Sequence, residues 1–155
     1  MRKLMVFVCV LGLLAGVYSL SFAEETNRTA SVTDFKGTVD VKSASTDWVP
    51  VQKGMILNVG DAVRTKSGSW AIVNLDGNGE TASVEVKENS QMMLAELLEN
   101  KKEETESTLL DLALGEVLIK AKKLHSDKSR FEVKTPTSIV GVRGTTFSVS
   151  VESAE

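Results

Sequence analysis

Apolar and polar residues alternate with a period of two through most of this 155-residue chain, and the alternation breaks at glycines. Val39 and Val41 interleave with Thr38, Asp40 and Lys42, and Ala82, Val84 and Val86 interleave with Ser83, Glu85 and Lys87. A period of two sends successive side chains to opposite faces of a pleated strand, so these runs predict half-buried β-strands. Gly37, Gly54, Gly60-Asp61, Ser67-Gly68, Asp76-Gly77-Asn78-Gly79, Asn89-Ser90 and Gly115 punctuate them as turns or corners. Pro50 interrupts the run Trp48 to Val51 and makes it an edge or bent strand. Gln91 to Leu98 has the composition of a helix but lies among strands, and it is assigned as a strand. Glu99 to Ser107, rich in Lys and Glu, reads as a solvated hairpin tip. The expected fold is all-β, many short strands with Gly corners in one β-solenoid-like or sandwich-like domain, since the length leaves room for a single core.

One pattern occurs twice. Gly37-Thr38-Val39-Asp40-Val41-Lys42 and Gly115-Glu116-Val117-Leu118-Ile119-Lys120 both read G-x-V-x-[VI]-K. Two copies do not make a repeat array, but they predict two similarly built β units, either successive coils or facing sheets.

The C-terminal stretch Phe131 to Val149 holds Thr135-Pro136, then Gly141 and Gly144 on either side of Val142-Arg143, then Thr145. Pro136 has no amide donor, so the run ending at Thr135 turns there. Arg143 is thereby held at a corner. In one reading its planar fork of donors satisfies backbone carbonyls or a carboxylate, and its loss would unfold the corner. In the other it grips an anionic ligand.

The first residues read as an export signal: a basic Met1-Arg2-Lys3, an uncharged run from Leu4 to Ala23, and Ser21-Phe22-Ala23 before Glu24. This divides the chain into a signal peptide at 1–23, a short linker at 24–30, a β domain at 31–151 and a tail at 152–155, with no stable membrane anchor after cleavage. A retained anchor is the rival reading, because the run is long enough to span a bilayer. Cys9, the only cysteine, leaves with the signal, which removes disulfides and thiolate chemistry from the mature protein. Losing Arg2 and Lys3 as well leaves 16 basic against 21 acidic residues, a net charge of −5. Nucleic acid is therefore not an expected partner.

No constellation for catalysis stands out. Asp34, Asp40, Asp61, Asp76 and Asp111 are scattered over turns and strand ends, His125 is the only histidine, and Asp76 to Glu80 lacks the later glutamate of a calcium loop. The chain is read as a non-enzyme without metal or cofactor. Lys120, Lys122, Lys123, Lys128 and Arg130 form a local basic cluster that could touch an anionic envelope surface.

The order of these signals resembles the FecR-type periplasmic domain. The matching residues are Gly37 to Val41, Trp48 with Gly54, Gly60-Asp61-Ala62-Val63-Arg64-Thr65, Asn89-Ser90, Leu112 to Val117, Thr135-Pro136 and Arg143-Gly144-Thr145. The resemblance implies a structural signature of Gly37, Gly54, Gly60, Asp61, Gly115, Thr135, Pro136, Arg143, Gly144 and Thr145. It also implies a non-catalytic binding or scaffold module in the periplasm of a Gram-negative cell, with a protein or envelope partner and an oligomeric state left open. The alternative it carries is a regulatory or sensory envelope protein that works with a membrane-spanning partner in transporter or sigma-factor signalling.

Overall fold

The computed structural model describes residues 25–76, 82–122, 126–144 and 146–152. The expected signal segment 1–23, Gly77 to Gly79 of the expected hairpin turn, Lys123, His125 and Thr145 lie outside the described residues. What is described is all-β, as expected from the alternation: thirteen strands in one curled sheet. They are β1 Thr26–Asn27, β2 Ala30–Lys36, β3 Val39–Lys42, β4 Val49–Pro50, β5 Ile56–Leu57, β6 Ala62–Thr65, β7 Trp70–Asn74, β8 Ala82–Val86, β9 Gln91–Asn100, β10 Thr105–Ala121, β11 Arg130–Lys134, β12 Ile139–Gly141 and β13 Thr146–Val151.

The curl has a simple plan. β2 and β3 follow each other as one antiparallel partner of β6 and β7, and β8 and β9 follow each other as one antiparallel partner of β10. The two ribbons lie side by side, since β6 pairs with β9 and β7 with β8. Every long strand therefore crosses the same fold line, with β3, β6, β9 and the first half of β10 on one side and β2, β7, β8 and its second half on the other. β11 lies parallel to the first half of β10, and β13 lies antiparallel to the second.

The repeated glycines are where strands cross that line. Gly37 has φ +77° and Gly115 φ +85°, left-handed values that a side chain strains to adopt. A Cβ on Gly37 would lie 2.4 Å from Ser69 Oγ, and one on Gly115 would lie 2.2 Å from Ser90 Oγ and 2.5 Å from Ser90 Cα. The bonding around the two is the same. Thr38 N–H donates to Ser69 Oγ at 2.9 Å and the Thr38 carbonyl accepts from Lys66 N–H at 3.1 Å. Glu116 N–H donates to Ser90 Oγ at 2.9 Å and its carbonyl accepts from Lys87 N–H at 2.9 Å. Ser69 and Ser90 are buried, so these bonds satisfy hydroxyls that would otherwise be costly to hide. In each Lys-x-x-Ser turn the third residue is left-handed, Gly68 at φ +65° and Asn89 at φ +52°.

Inside the curl, Val63, Met92, Leu94, Leu110, Leu112 and Phe131 from one side meet Val32, Val73, Val84, Val117 and Ile119 from the other in a single core. At about 1.5–3 kcal/mol for each large side chain, this burial is the main force for the curl. Gln91 to Leu98 is a strand, with Met92, Leu94 and Leu97 buried, because core-facing packing outweighs its helical composition. The two runs expected around Gly115 are one 17-residue strand that bends there.

The described part of the expected linker, residues 25–30, is more than a linker. Thr26 and Asn27 pair with Glu99 and Leu98, and Arg28 is only 8% exposed. Its guanidinium donates to Thr108 Oγ1 at 2.7 Å, to the Leu98 carbonyl at 3.3 Å and to the Ser107 carbonyl at 3.4 Å, with Glu106 at 3.9 Å. The ordered fold thus begins ahead of residue 31.

Candidate functional site

The free edges of the sheet are the places where this fold can accept another chain, and all but one are blunted. Among the described residues β1, β4, β5, β12 and β13 each pair on one side only. β1, β4 and β5 are two residues long, and β4 includes Pro50. β12 has three residues and ends at Gly141, although Ile139 is 64% exposed. β13 is different: Thr146-Phe147-Ser148-Val149-Ser150-Val151 has six residues, no charge and no proline. Short length, charge and proline are the usual protections of an edge, and β13 has none of them.

Its faces are equally distinct. Phe147, Val149 and Val151 point inward beside Ile119, Val117 and Gly115, with Val149 buried and the other two only partly covered. Thr146, Ser148 and Ser150 are exposed on the outer face. Beyond Val151 a cavity of about 610 Å³ opens over the fold line, lined by Trp70, Glu85, Lys87, Leu114, Glu116 and Ser150 among others. Lys87 Nζ is paired with Glu85 at 2.6 Å and Gly68 N–H donates to Glu88 at 2.6 Å, so much of its charge is already engaged.

The signature glycines hold turns. Gly54 lies in the turn before β5, and Gly60-Asp61 precedes β6, where the buried Asp61 carboxylate accepts from Asn58 N–H at 2.9 Å. Asp61 is a turn lock. Gly37 and Gly115 occupy the fold line. Thr135 and Pro136 form the turn from β11 to β12, in which Thr135 N–H donates to the Ser138 carbonyl at 2.8 Å and Ser138 N–H to Thr135 Oγ1 at 3.0 Å. Trp48 and Arg64 meet on the outer face, with the guanidinium 4.2 Å from the ring centroid and 2.9 Å from Asp40.

Arg143 does not hold its corner. It is exposed and makes no hydrogen bond or ion pair with a described residue. The buried neighbour Val142, whose N–H donates to the Phe131 carbonyl at 2.8 Å, anchors the link instead, with Gly144 at φ +70° behind it. Gly141 is outside the left-handed region, and a Cβ there would meet nothing. Arg143→Ala is therefore expected to leave the melting temperature within about 2 °C of wild type, as surface substitutions do; a thermal melt checks this.

The pairing of β11 with β12 brings Arg130 and Lys128 beside Arg143 around a cavity of about 530 Å³ that also includes Asp127 and Glu132. The basic residues do not form one patch. Lys120 sits at the far end of β10, opposite Ser83 and Thr146, while Arg130 pairs with Ser107 near its start, and Lys128 is 3.7 Å from Glu103. Lys122 is exposed beyond Ala121. No group of three or more His, Cys, Asp or Glu side chains among the described residues could hold a metal ion.

Sequence reasoning missed Arg28 and Ser69, and read Ser90 only as part of a turn, without its bond to Glu116 N–H. A Lys-x-x-Ser spacing, present at Lys66 and Lys87, was the available signal for the serines. A family model described as FecR protein matches residues 61–155, which is more than half of the chain. Neither a curated protein nor a solved structure matches it.

Proposed function

Because the chain belongs to the FecR family, whose members are generally non-catalytic envelope regulators acting with partner proteins, we propose that it is an exported β module that recruits a protein partner in the periplasm by strand addition along β13. The observation that carries this reading is the unblunted edge of β13, six residues without charge or proline beside the half-covered Phe147 and Val151. Strand addition pairs main-chain groups for affinity and uses alternate side chains for specificity. An incoming strand would also cover those two partly exposed apolar side chains at the margin of the core. The glycine signature, on this reading, shapes the curl that presents the edge.

The experiment is capture from a periplasmic extract with tagged wild-type protein and with S148K/S150K, whose two substitutions face solvent. Wild type should retain a partner that the variant loses while both remain folded, as circular dichroism would show. An undiminished yield from the variant would contradict recruitment through β13. If the captured protein spans the membrane, the module works in transporter or sigma-factor signalling; if it does not, the scaffold role stands.

A further inference from the structure

The same edge fits itself. We propose that in the absence of another partner β13 pairs antiparallel with β13 of a second copy, centred on Val149, so that the protein rests as a two-fold dimer. This inference rests on β13 being the recruiting edge, and it adds what occupies that edge in the free protein.

The register follows from the side chains. Residues directly opposite each other in an antiparallel pair share a face, so inward residues must meet inward residues. Centring the pair on Val149 sets Phe147 against Val151 of the second copy, and Val151 against its Phe147. These are the strand's two inward side chains that remain partly exposed, and each would cover the other. Val149 meets its own copy at the centre. On the outer face Ser148 meets Ser150 of the second copy, a hydroxyl pair of the kind that favours cross-strand contact. Centring on Ser148 instead would set Phe147 against the already buried Val149 and leave Val151 beyond the inward pairs of the strand. A shift by one residue would oppose inward to outward side chains along the whole strand.

Charge is consistent with this pairing. The chain is acidic overall, yet β13 carries no ionisable group, so two copies can meet there without opposing like charges across the strands. A two-fold pair of edges is also closed, because each copy uses its edge once. Self-pairing and partner capture then compete for one strand, and the dimer is a resting form that a partner must open.

The test is the mass of the purified chain, as recovered from the cell, measured by sedimentation or light scattering over a concentration series. Wild type should have twice the mass of one chain and dissociate on dilution. S148K/S150K should be a single chain, since it sets lysine opposite lysine twice. S148E/S150K should regain the dimer, since it sets glutamate opposite lysine, and it places the lysine beside Glu116 within its own chain. A wild type that stays a single chain throughout the series overturns the inference, as does S148K/S150K remaining a dimer or S148E/S150K failing to form one. These outcomes separate from partner capture. A single-chain wild type whose captured partner is lost in S148K/S150K refutes self-pairing alone, while a dimer that captures nothing refutes recruitment alone.

Discussion

Gly115→Ala destabilises the protein by about 2–5 kcal/mol, the largest loss expected of any single added methyl group here. Two effects combine. An L-residue in the left-handed region costs about 1–2 kcal/mol, and forcing a group into a packed site costs about 1–3 more. At Gly115 the second term is severe because the new carbon would lie 2.5 Å from Ser90 Cα and 2.7 Å from the Asn89 carbonyl oxygen. Backbone cannot rotate away as a side chain can. Gly37→Ala is expected to be milder, since its nearest neighbour at 2.4 Å is the Ser69 hydroxyl, which can turn aside by giving up its bond to Thr38 N–H. Gly54→Ala has only the conformational term, because φ is +83° and nothing lies within 4 Å. Urea melts should therefore rank the three losses Gly115, Gly37, Gly54. Equal losses would mean that the fold line is not held by glycine-on-serine packing.

Arg28→Ala lowers stability by about 2–4 kcal/mol. Truncation leaves the buried Thr108 hydroxyl and two strand carbonyls without their donor and opens a cavity behind them. With a loss of about 3–4 °C per kcal/mol in a domain of this size, the melting temperature falls by roughly 10 °C. Arg28→Lys tests the geometry. One ammonium cannot serve the Leu98 carbonyl and Thr108 together as a planar fork does, so most of the loss should persist although the charge is kept. Full stability in Arg28→Lys would show that the charge near Glu106 matters and the fork does not.

Much of the fold is legible in the sequence because its core is written at a period of two. Ala82, Val84 and Val86 are buried while Ser83 and Glu85 between them are not, as the alternation requires. The repeated G-x-V-x-[VI]-K pattern also has physical content, since both glycines cross the fold line. Only half of that device could be read in advance. The serines that receive the glycines lie 32 residues after Gly37 and 25 before Gly115, and no local pattern ties partners so far apart. Arg28 was hidden for another reason: a lone arginine among polar residues looks solvated until pairing with β9 buries it. Arg143 shows the converse. A cation between two glycines suggested a clamp at the corner, yet Val142 takes the buried place and its neighbour is exposed.

The proposed binding surface was the least legible part. A free edge is a property of what a strand does not pair with, and that depends on the whole topology. The run Thr146 to Val151 reads locally like several other strands of the chain. It becomes a candidate site because β10 engages it on one side only among the described residues, while β12 pairs with β11.

Whether β13 offers an open edge is decided by residue-resolved amide hydrogen exchange in dilute protein. Along Thr146 to Val151 alternation is expected, with amides directed at β10 protected and those between them exchanging as free groups. Uniform protection along all six residues in single-chain protein would show the edge to be covered within one molecule, and would contradict it.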